Sequence, residues 1–374
     1  MRVLESLRVV EIGGIGPGPF CAMHLADLGA DVISVVREAP ESTTTGHLLN
    51  RGKRSVFADL KSPEGRQLVL ALVRDADILI EGMRPGVMER LGLGPAECRA
   101  VNSRLVYGRM TGWGQDGPLA PRAGHDNNYA ALSGALWGCS PADARPVSSF
   151  ALLGDIGGGA LYLMTGVLAG VVKARETGVG SVVDAAIVDG AAHMLNLALS
   201  ARQRGVVADQ RGHSIHDSSP FYETYVCADG HHITLGSIEP QFYSLLLQIL
   251  GLENDPDFSA PGSQWDKTAW PKRRARLQAI LITQDRVHWQ QLLEASDVCF
   301  GAVLSPLEAA QHPHMQARGV YSQQGGVLQA APAPRFDGQA YPVQTRCLLG
   351  QDTQDITQSV LEGQGVWRSR PLAR

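Results

Sequence analysis

What the 374-residue chain lacks narrows its chemistry before any motif is considered. Its six cysteines, Cys21, Cys98, Cys139, Cys227, Cys299 and Cys347, lie at least 41 residues apart, with no C-x-x-C pair. That spacing excludes a zinc ribbon, a thioredoxin-type redox motif and a secreted disulfide scaffold. The thiols read as reduced and mostly structural. The N-terminus, Met1-Arg2-Val3-Leu4-Glu5, has no cationic stretch feeding an apolar run, so no secretory signal is expected. The last residues, Pro371-Leu372-Ala373-Arg374, are not an address of the S-K-L type, and a cytoplasmic enzyme is the expectation. Neither sign of charge is in excess, because 33 Lys plus Arg face 37 Asp plus Glu, for a net charge of −4. The basic footprint of a dedicated nucleic-acid binder is therefore missing. Any anionic partner must be met by local clusters of cations. The most apolar stretch, Ile156 to Val172, has 17 residues without a charge but is headed by Asp155 and holds five glycines. It is marginal as a membrane span and is expected as a buried core helix. The histidines show no metal-ligand spacing, so no metal is expected.

The length, at roughly 100 to 200 residues per domain, points to two domains. Glycine is the one compositional outlier, with 42 residues, about 11% of the chain, against an average of roughly 7%. The chain opens as strand, turn, helix, strand: Leu7 to Ile12 is apolar and β-branched, Gly13 to Pro19 is a turn, Phe20 to Leu28 has helical spacing, and Asp31 to Val36 is a second buried strand. A βαβ unit implies a parallel sheet, and the fold class expected is α/β, with a doubly wound, Rossmann-like large domain. Further helices are expected at Pro63 to Arg74, Gly86 to Leu91, Asp155 to Arg175 and Asp184 to Arg204, and strands at Asp77 to Ile80 and Leu105 to Met110. Thr111 to Tyr129 reads as a long ordered loop of the kind that is usually functional. The large domain is placed at residues 1–200 and a smaller α+β domain at 221–305. Residues 306–374 are expected to return to the first domain.

The glycine turn invites a dinucleotide-binding assignment that the residues do not support. G-x-G-x-x-G from Gly14 would need glycine where Pro19 stands, and Pro17 and Pro19 remove two amide donors. An acidic residue at the end of the second strand is also absent, and Arg37 stands there instead. A guanidinium at that place suits an extra phosphate on a nucleotide, or is a solvated surface group. Arg51, Lys53 and Arg54 form a short basic run, with Lys61, Arg84 and Arg90 scattered on the same domain. Such charges favour an anionic ligand only weakly on their own.

Two passages carry titratable residues that structure alone does not require. One is Ala123-Gly124-His125-Asp126-Asn127-Asn128-Tyr129, at the end of the long loop. The other is Gly154-Asp155-Ile156-Gly157-Gly158-Gly159, where Asp155 has an ordinary role as N-cap of the helix that follows. Capping does not explain the three glycines, which let something bulky approach the backbone. The helix start also offers amides to a developing anion. His213, His216 and Asp217 sit in a polar connection, either as a surface hinge or as residues that shape specificity.

Taken together, Gly13 to Pro19 after a strand, Asp59-Leu60-Lys61-Ser62, Glu81 to Val87, Arg109 to Gln115, Gly124-His125-Asp126, Gly154 to Gly159 and Ile238 to Tyr243 resemble the family III coenzyme A transferase superfamily. Within it they are most similar to the α-methylacyl-CoA racemase branch, from the first strand to about Phe336. The resemblance implies an interlocked homodimer, each subunit having a large Rossmann-like domain that binds coenzyme A and a small domain, with active sites at the subunit interface. Ile15, Arg37, Ala58, Lys61, Glu81, Arg84, Arg90, Gly124, Asp126 and Tyr129 match its coenzyme A positions. His125 and Asp155 match its catalytic pair, and Glu239 matches an acidic residue supporting the histidine. The implied activity inverts the α-carbon of 2-methylacyl-CoA thioesters by proton transfer through an enolate. Coenzyme A is then part of the substrate, and no separate cofactor is required. The alternatives are a CoA transferase with Asp155 as nucleophile, where a histidine at position 125 is not typical, and a non-catalytic CoA-binding protein. Inversion needs a base on each face of the carbon, and the expectation is that amides at the start of the Asp155 helix hold the enolate oxygen.

Overall fold

The computed structural model describes residues 2–38, 47–140, 143–148 and 150–368. The readings made above at Met1 and at residues 371–374 lie outside these described residues. The chain divides into two compact units, one of Met1–Ala135, Ser148–Met194 and His314–Arg374, the other of Leu136–Val147 and Leu195–Pro313. Leu136–Val147, expected within the first domain, groups with the second unit.

The first unit is built on β1 (Arg8–Ile12), α1 (Pro17–Asp27), β2 (Asp31–Val36), β3 (Arg54–Phe57), α2 (Pro63–Arg74), β4 (Ile78–Glu81), α3 (Val87–Arg90), α4 (Pro95–Val101), β5 (Val106–Thr111), α5 (Asp126–Leu132), a π-helical segment Leu152–Ala160, α6 (Leu161–Thr177), β6 (Val182–Ala186) and α7 (Ile187–Met194). Its six strands are all parallel, in the order β3-β2-β1-β4-β5-β6. Four of the five residues of β1 are buried, as befits a strand covered on both faces. One face packs Cys21, Leu25, Leu163 and Val167, the other Leu68, Leu72, Met88 and Tyr107. The strand order reverses between β1 and β4. Ligands of such sheets bind in the crevice beyond the strands' carboxyl ends at that reversal.

Several local expectations shift. The first helix starts at Pro17 rather than Phe20, because proline needs no amide partner at the first helical position. The expected loop ends early, since α5 already begins at Asp126. The single helix expected from Asp184 to Arg204 is instead β6, α7 and α8 (Asn196–Gln203). Its first residues fill the sheet edge beside β5, with Asp184 opposite Arg109.

The basic run is the clearest correction. Arg51 donates to both oxygens of Asp27 (2.9 and 2.6 Å), Lys53 to Glu11 (2.7 Å) and Arg54 to Asp31 (2.9 Å), and all three cations are buried. These ion pairs lock β3 and its approach onto α1, β1 and β2. They are not available to an anionic ligand. Truncating one partner of such a pair leaves an uncompensated buried charge and costs roughly 3 to 5 kcal/mol. Lys53→Met is accordingly expected to unfold at clearly lower denaturant than the double change Lys53→Met with Glu11→Leu, a comparison that urea titration makes directly.

The 26-residue helical stretch Leu152–Thr177 is long and apolar enough, by length and composition, to cross a membrane. In this fold it buries Leu163, Val167 and Val171 against the sheet. Gly166 and Gly170 let it meet Val183 and Val106 closely.

The second unit carries α8, the short helix α9 (Ile215–Ser218), strands β7 (Tyr222–Val226), β8 (His232–Gly236) and β9 (Phe300–Ala302) in an antiparallel sheet, and α10 (Pro240–Ile249). Phe221, Tyr225, Trp270, Leu277 and Trp289 form its core.

Candidate active site

A cavity of about 380 Å³ opens in the first unit at the carboxyl ends of β1, β4 and β5. Its wall includes Ile15, Arg84, Gly124, His125, Tyr129 and Asp155 from the residues singled out in the sequence. Ile15 and Arg84 lie on the connections after β1 and β4, where the order of the sheet reverses, and Gly124, His125, Tyr129 and Asp155 lie on the chain that follows β5.

His125 precedes α5 in an extended conformation (φ −135°, ψ 173°), and its backbone amide donates to Asn128 Oδ1 (3.0 Å). The ring is exposed toward the cavity. Tyr129 fixes the backbone just before it. Its hydroxyl donates to the Gly124 carbonyl, and its ring stands edge-on to Trp113, with centroids 4.7 Å apart. A Cβ at Gly112 would lie 2.0 Å from the Tyr129 ring, and one at Gly124 would lie 2.6 Å from it. Those two glycines are there because the tyrosine fills the space a side chain would need.

Asp155 is not an N-cap. It lies inside the π-helical segment, whose N-cap is Ala151. The residue that accepts the amides is Asp126, buried at the start of α5: its Oδ1 takes the amides of Gly154 (2.9 Å) and Asp155 (2.8 Å), and its Oδ2 accepts from Ser148 Oγ (2.8 Å). This corrects two expectations at once. Asp126 faces the protein backbone instead of lining the cavity, and the amides assigned to the enolate oxygen are already committed.

Asp155 is half-buried, with Oδ2 3.3 Å from where a Cβ on Gly16 would stand. Gly16 itself has φ 70°, so glycine serves both the turn and the approach of the carboxylate. Burial pushes the Asp155 carboxyl above the ordinary carboxylate range, the charge of Asp126 pushes the same way, and His125 pulls it down. In Asp126→Asn the side-chain oxygen can still accept both amides, but the negative charge is gone. The Asp155 pKa should then fall, so the acid limb of the kcat/KM profile should move to lower pH. An unmoved or upward-shifted limb would show that the charge of Asp126 does not reach the reacting carboxylate.

The glycines after Asp155 serve packing rather than a ligand. A Cβ on Gly158 would meet the Ala191 nitrogen at 2.6 Å, and one on Gly190 would meet the Gly158 carbonyl oxygen at 1.9 Å. The π-helical segment and α7 touch backbone to backbone there.

The remaining positions separate clearly. Arg37 follows β2 and Ala58 follows β3, where the Ala58 amide donates to the Val36 carbonyl (3.0 Å). Lys61 lies just before α2. All three are at the carboxyl edge of the sheet but outside the cavity wall. Among the described residues, none of Arg37, Lys61, Arg84 and Arg90 forms an ion pair within 4 Å, in contrast to the basic run. Glu81, expected to contact a ligand, is fully buried and spent on the protein, accepting from the Met83 amide (2.7 Å) and pairing with Arg109 (3.0 Å). Glu239 belongs to the second unit, exposed at the N-cap of α10. His216 stands edge-on to Tyr222 in that unit (4.9 Å), and Asp217 accepts the amides of Gly212 (2.7 Å) and Ser214 (2.8 Å). Asp217 therefore shapes its own turn. Sequence reasoning missed the roles of Arg109 and Trp113, whose partners lie on other elements.

The chain matches the CoA-transferase family III profile over residues 4–353. It is 38% identical to the mouse α-methylacyl-CoA racemase over 334 residues, 89% of this chain and 85% of that protein. It is 37% identical to the human α-methylacyl-CoA racemase, over 94% of this chain and 92% of the relative. Among solved structures, a CAIB/BAIF family protein from Brucella suis superposes with a TM-score of 0.81 at 27% identity, covering 96% of this chain and 99% of that one. The profile match spans nearly the whole chain, and the chain belongs to the family III CoA transferases.

Proposed function

We propose that the protein is an isomerase that inverts the α-carbon of 2-methylacyl-CoA thioesters. The observation that carries this reading is the placement of His125 and Asp155, two bases of different kind, on the wall of one cavity. Similarity to two α-methylacyl-CoA racemases along most of the chain supports the same choice. One base takes the α-proton, and the electron pair of the broken C–H bond moves into the thioester as an enolate. The conjugate acid of the other base returns a proton to the opposite face, and the roles exchange when the reaction runs backwards. Proton transfer of this kind contributes about 10²- to 10⁴-fold. The enolate oxygen has to be met elsewhere on the cavity wall, because Asp126 holds the amides of Gly154 and Asp155.

We place the nucleotide of coenzyme A along the carboxyl edge of the sheet, where Arg37, Lys61, Arg84 and Arg90 offer cations without an ion pair among the described residues, and the enzyme in the cytoplasm. We further propose a homodimer in which Glu239 of one copy supports His125 of the other. Exposed apolar side chains such as Phe150, Leu152 and Leu161 support a covered surface. Mixing the inactive variants His125→Ala and Glu239→Gln under exchanging conditions should then restore part of the activity, since hybrid dimers keep one intact site. No recovery, in a mixture shown by mass spectrometry to contain hybrids, would overturn the shared site.

The second reading, a CoA transferase with Asp155 as nucleophile, draws on the family itself. Incubation of one epimer of a 2-methylacyl-CoA in D₂O separates the two. An epimerase introduces deuterium at the α-carbon and yields both epimers without an acceptor acid. Coenzyme A moving to an added free acid, with no α-exchange, would establish the transferase instead.

A further inference from the structure

The Arg109 side chain, on β5 and nearly buried, ties together two stretches of chain that the sheet leaves separate. Its Nε donates to Glu81 Oε1 (3.0 Å) at the end of β4, and its fork takes both oxygens of Glu89 on α3 (2.8 and 3.3 Å). Glu81 in turn accepts the Met83 amide through its other oxygen (2.7 Å). Residues 82 to 85 between these anchors form part of the cavity wall, and Arg84 is the exposed cation among them. Farther along, Arg90 closes α3, its guanidinium 3.1 Å from where a Cβ on Gly86 would lie.

We propose that Arg109 is a positioning residue that presents Arg84 and Arg90 to the nucleotide phosphates of coenzyme A, through Glu81 and Glu89. The proposal rests on the reading of the protein as a coenzyme A enzyme, though not on which reaction it catalyses. Planar, two-oxygen pairing is what a guanidinium provides and an ammonium does not. Arg109→Lys keeps the charge beside buried Glu81 and loses the fork to Glu89. Glu89→Gln loosens the same fork from its exposed end and leaves no buried charge unpaired. In both, the loop from Gly82 to Gly86 is freed at one anchor while His125 and Asp155 stay in place.

The test measures binding of coenzyme A and of pantetheine, which lacks the nucleotide, to the intact protein by calorimetry, alongside melting temperature. Each variant is expected to bind coenzyme A about tenfold more weakly, to bind pantetheine within twofold of the parent, and to melt within a few degrees of it. In activity the same split should appear as a raised KM for the CoA thioester with kcat kept, and no change for the pantetheine thioester. An equal loss for both ligands would make Arg109 merely structural and overturn the proposal. So would unaltered coenzyme A affinity, or a parent protein that does not bind coenzyme A. Failure of α-proton exchange alongside these binding results would reject the epimerase reading and leave the positioning role standing.

Discussion

Asp155→Asn is expected to slow α-proton exchange by about 10²- to 10⁴-fold while raising the melting temperature at neutral pH. The loss follows from removing one of two bases. The gain follows from the environment of the carboxylate, whose pKa is raised chiefly by burial and next by Asp126. A carboxyl that titrates higher in the folded than in the unfolded state weakens the fold wherever it is ionised in both. That penalty is fully present above the folded pKa and fades as pH falls toward the unfolded value of about 3.9. Asparagine carries no such penalty. The melting difference between variant and parent should therefore be positive near pH 7, shrink on acidification and vanish below pH ~4. A variant less stable than the parent at neutral pH, or one that exchanges protons at the parental rate, would contradict this account.

Gly190→Ala should be the most damaging small substitution near the site. On helix propensity alone, alanine gains about 1 kcal/mol over glycine in a helix interior. Here the added methyl would sit 1.9 Å from the Gly158 carbonyl oxygen, a backbone atom that cannot turn aside. Forcing an extra methyl into a packed contact costs typically 1 to 3 kcal/mol and more when backbone must move, so steric cost outweighs propensity. The expected result is a loss of roughly 3 kcal/mol in urea unfolding, with exchange activity lowered as well, because the displaced segment carries Asp155. A protein as stable as the parent would mean that α7 and the π-helical segment can part without cost.

Much of the architecture was legible in the chain. Runs such as Arg8–Ile12 and Asp31–Val36 are mostly apolar and almost wholly buried because both sheet faces are covered, and α2 was readable to the residue from Pro63 to Arg74. What escaped depends on partners distant in sequence. The basic run looked available because Asp27, Glu11 and Asp31 lie 24, 42 and 23 residues away. Asp155 looked like a helix cap because the true acceptor, Asp126, is 29 residues earlier. β6 was hidden since Val182 to Ala186 runs into α7 without a turn residue between them. The glycine turn and the passages carrying His125 and Asp155 were singled out from the residues and given roles by the family resemblance, and the fold brings them to one cavity. Glu81 and Asp126 were expected to contact a ligand, whereas their side chains hold Arg109 and the Met83 amide, and the amides of Gly154 and Asp155.

Asp126 has a consequence for what the enzyme can accept as substrate. It is joined to His125 by a peptide bond and grips the amide of Asp155 with a single oxygen. On the proposed reaction the two bases are thus the jaws of one caliper, and its hinge is a buried side chain. The span between the jaws is then set by the protein backbone and not by the acyl chain. Variation in substrate must then be taken up beyond the α-carbon, while the reacting centre meets a gauge of constant width.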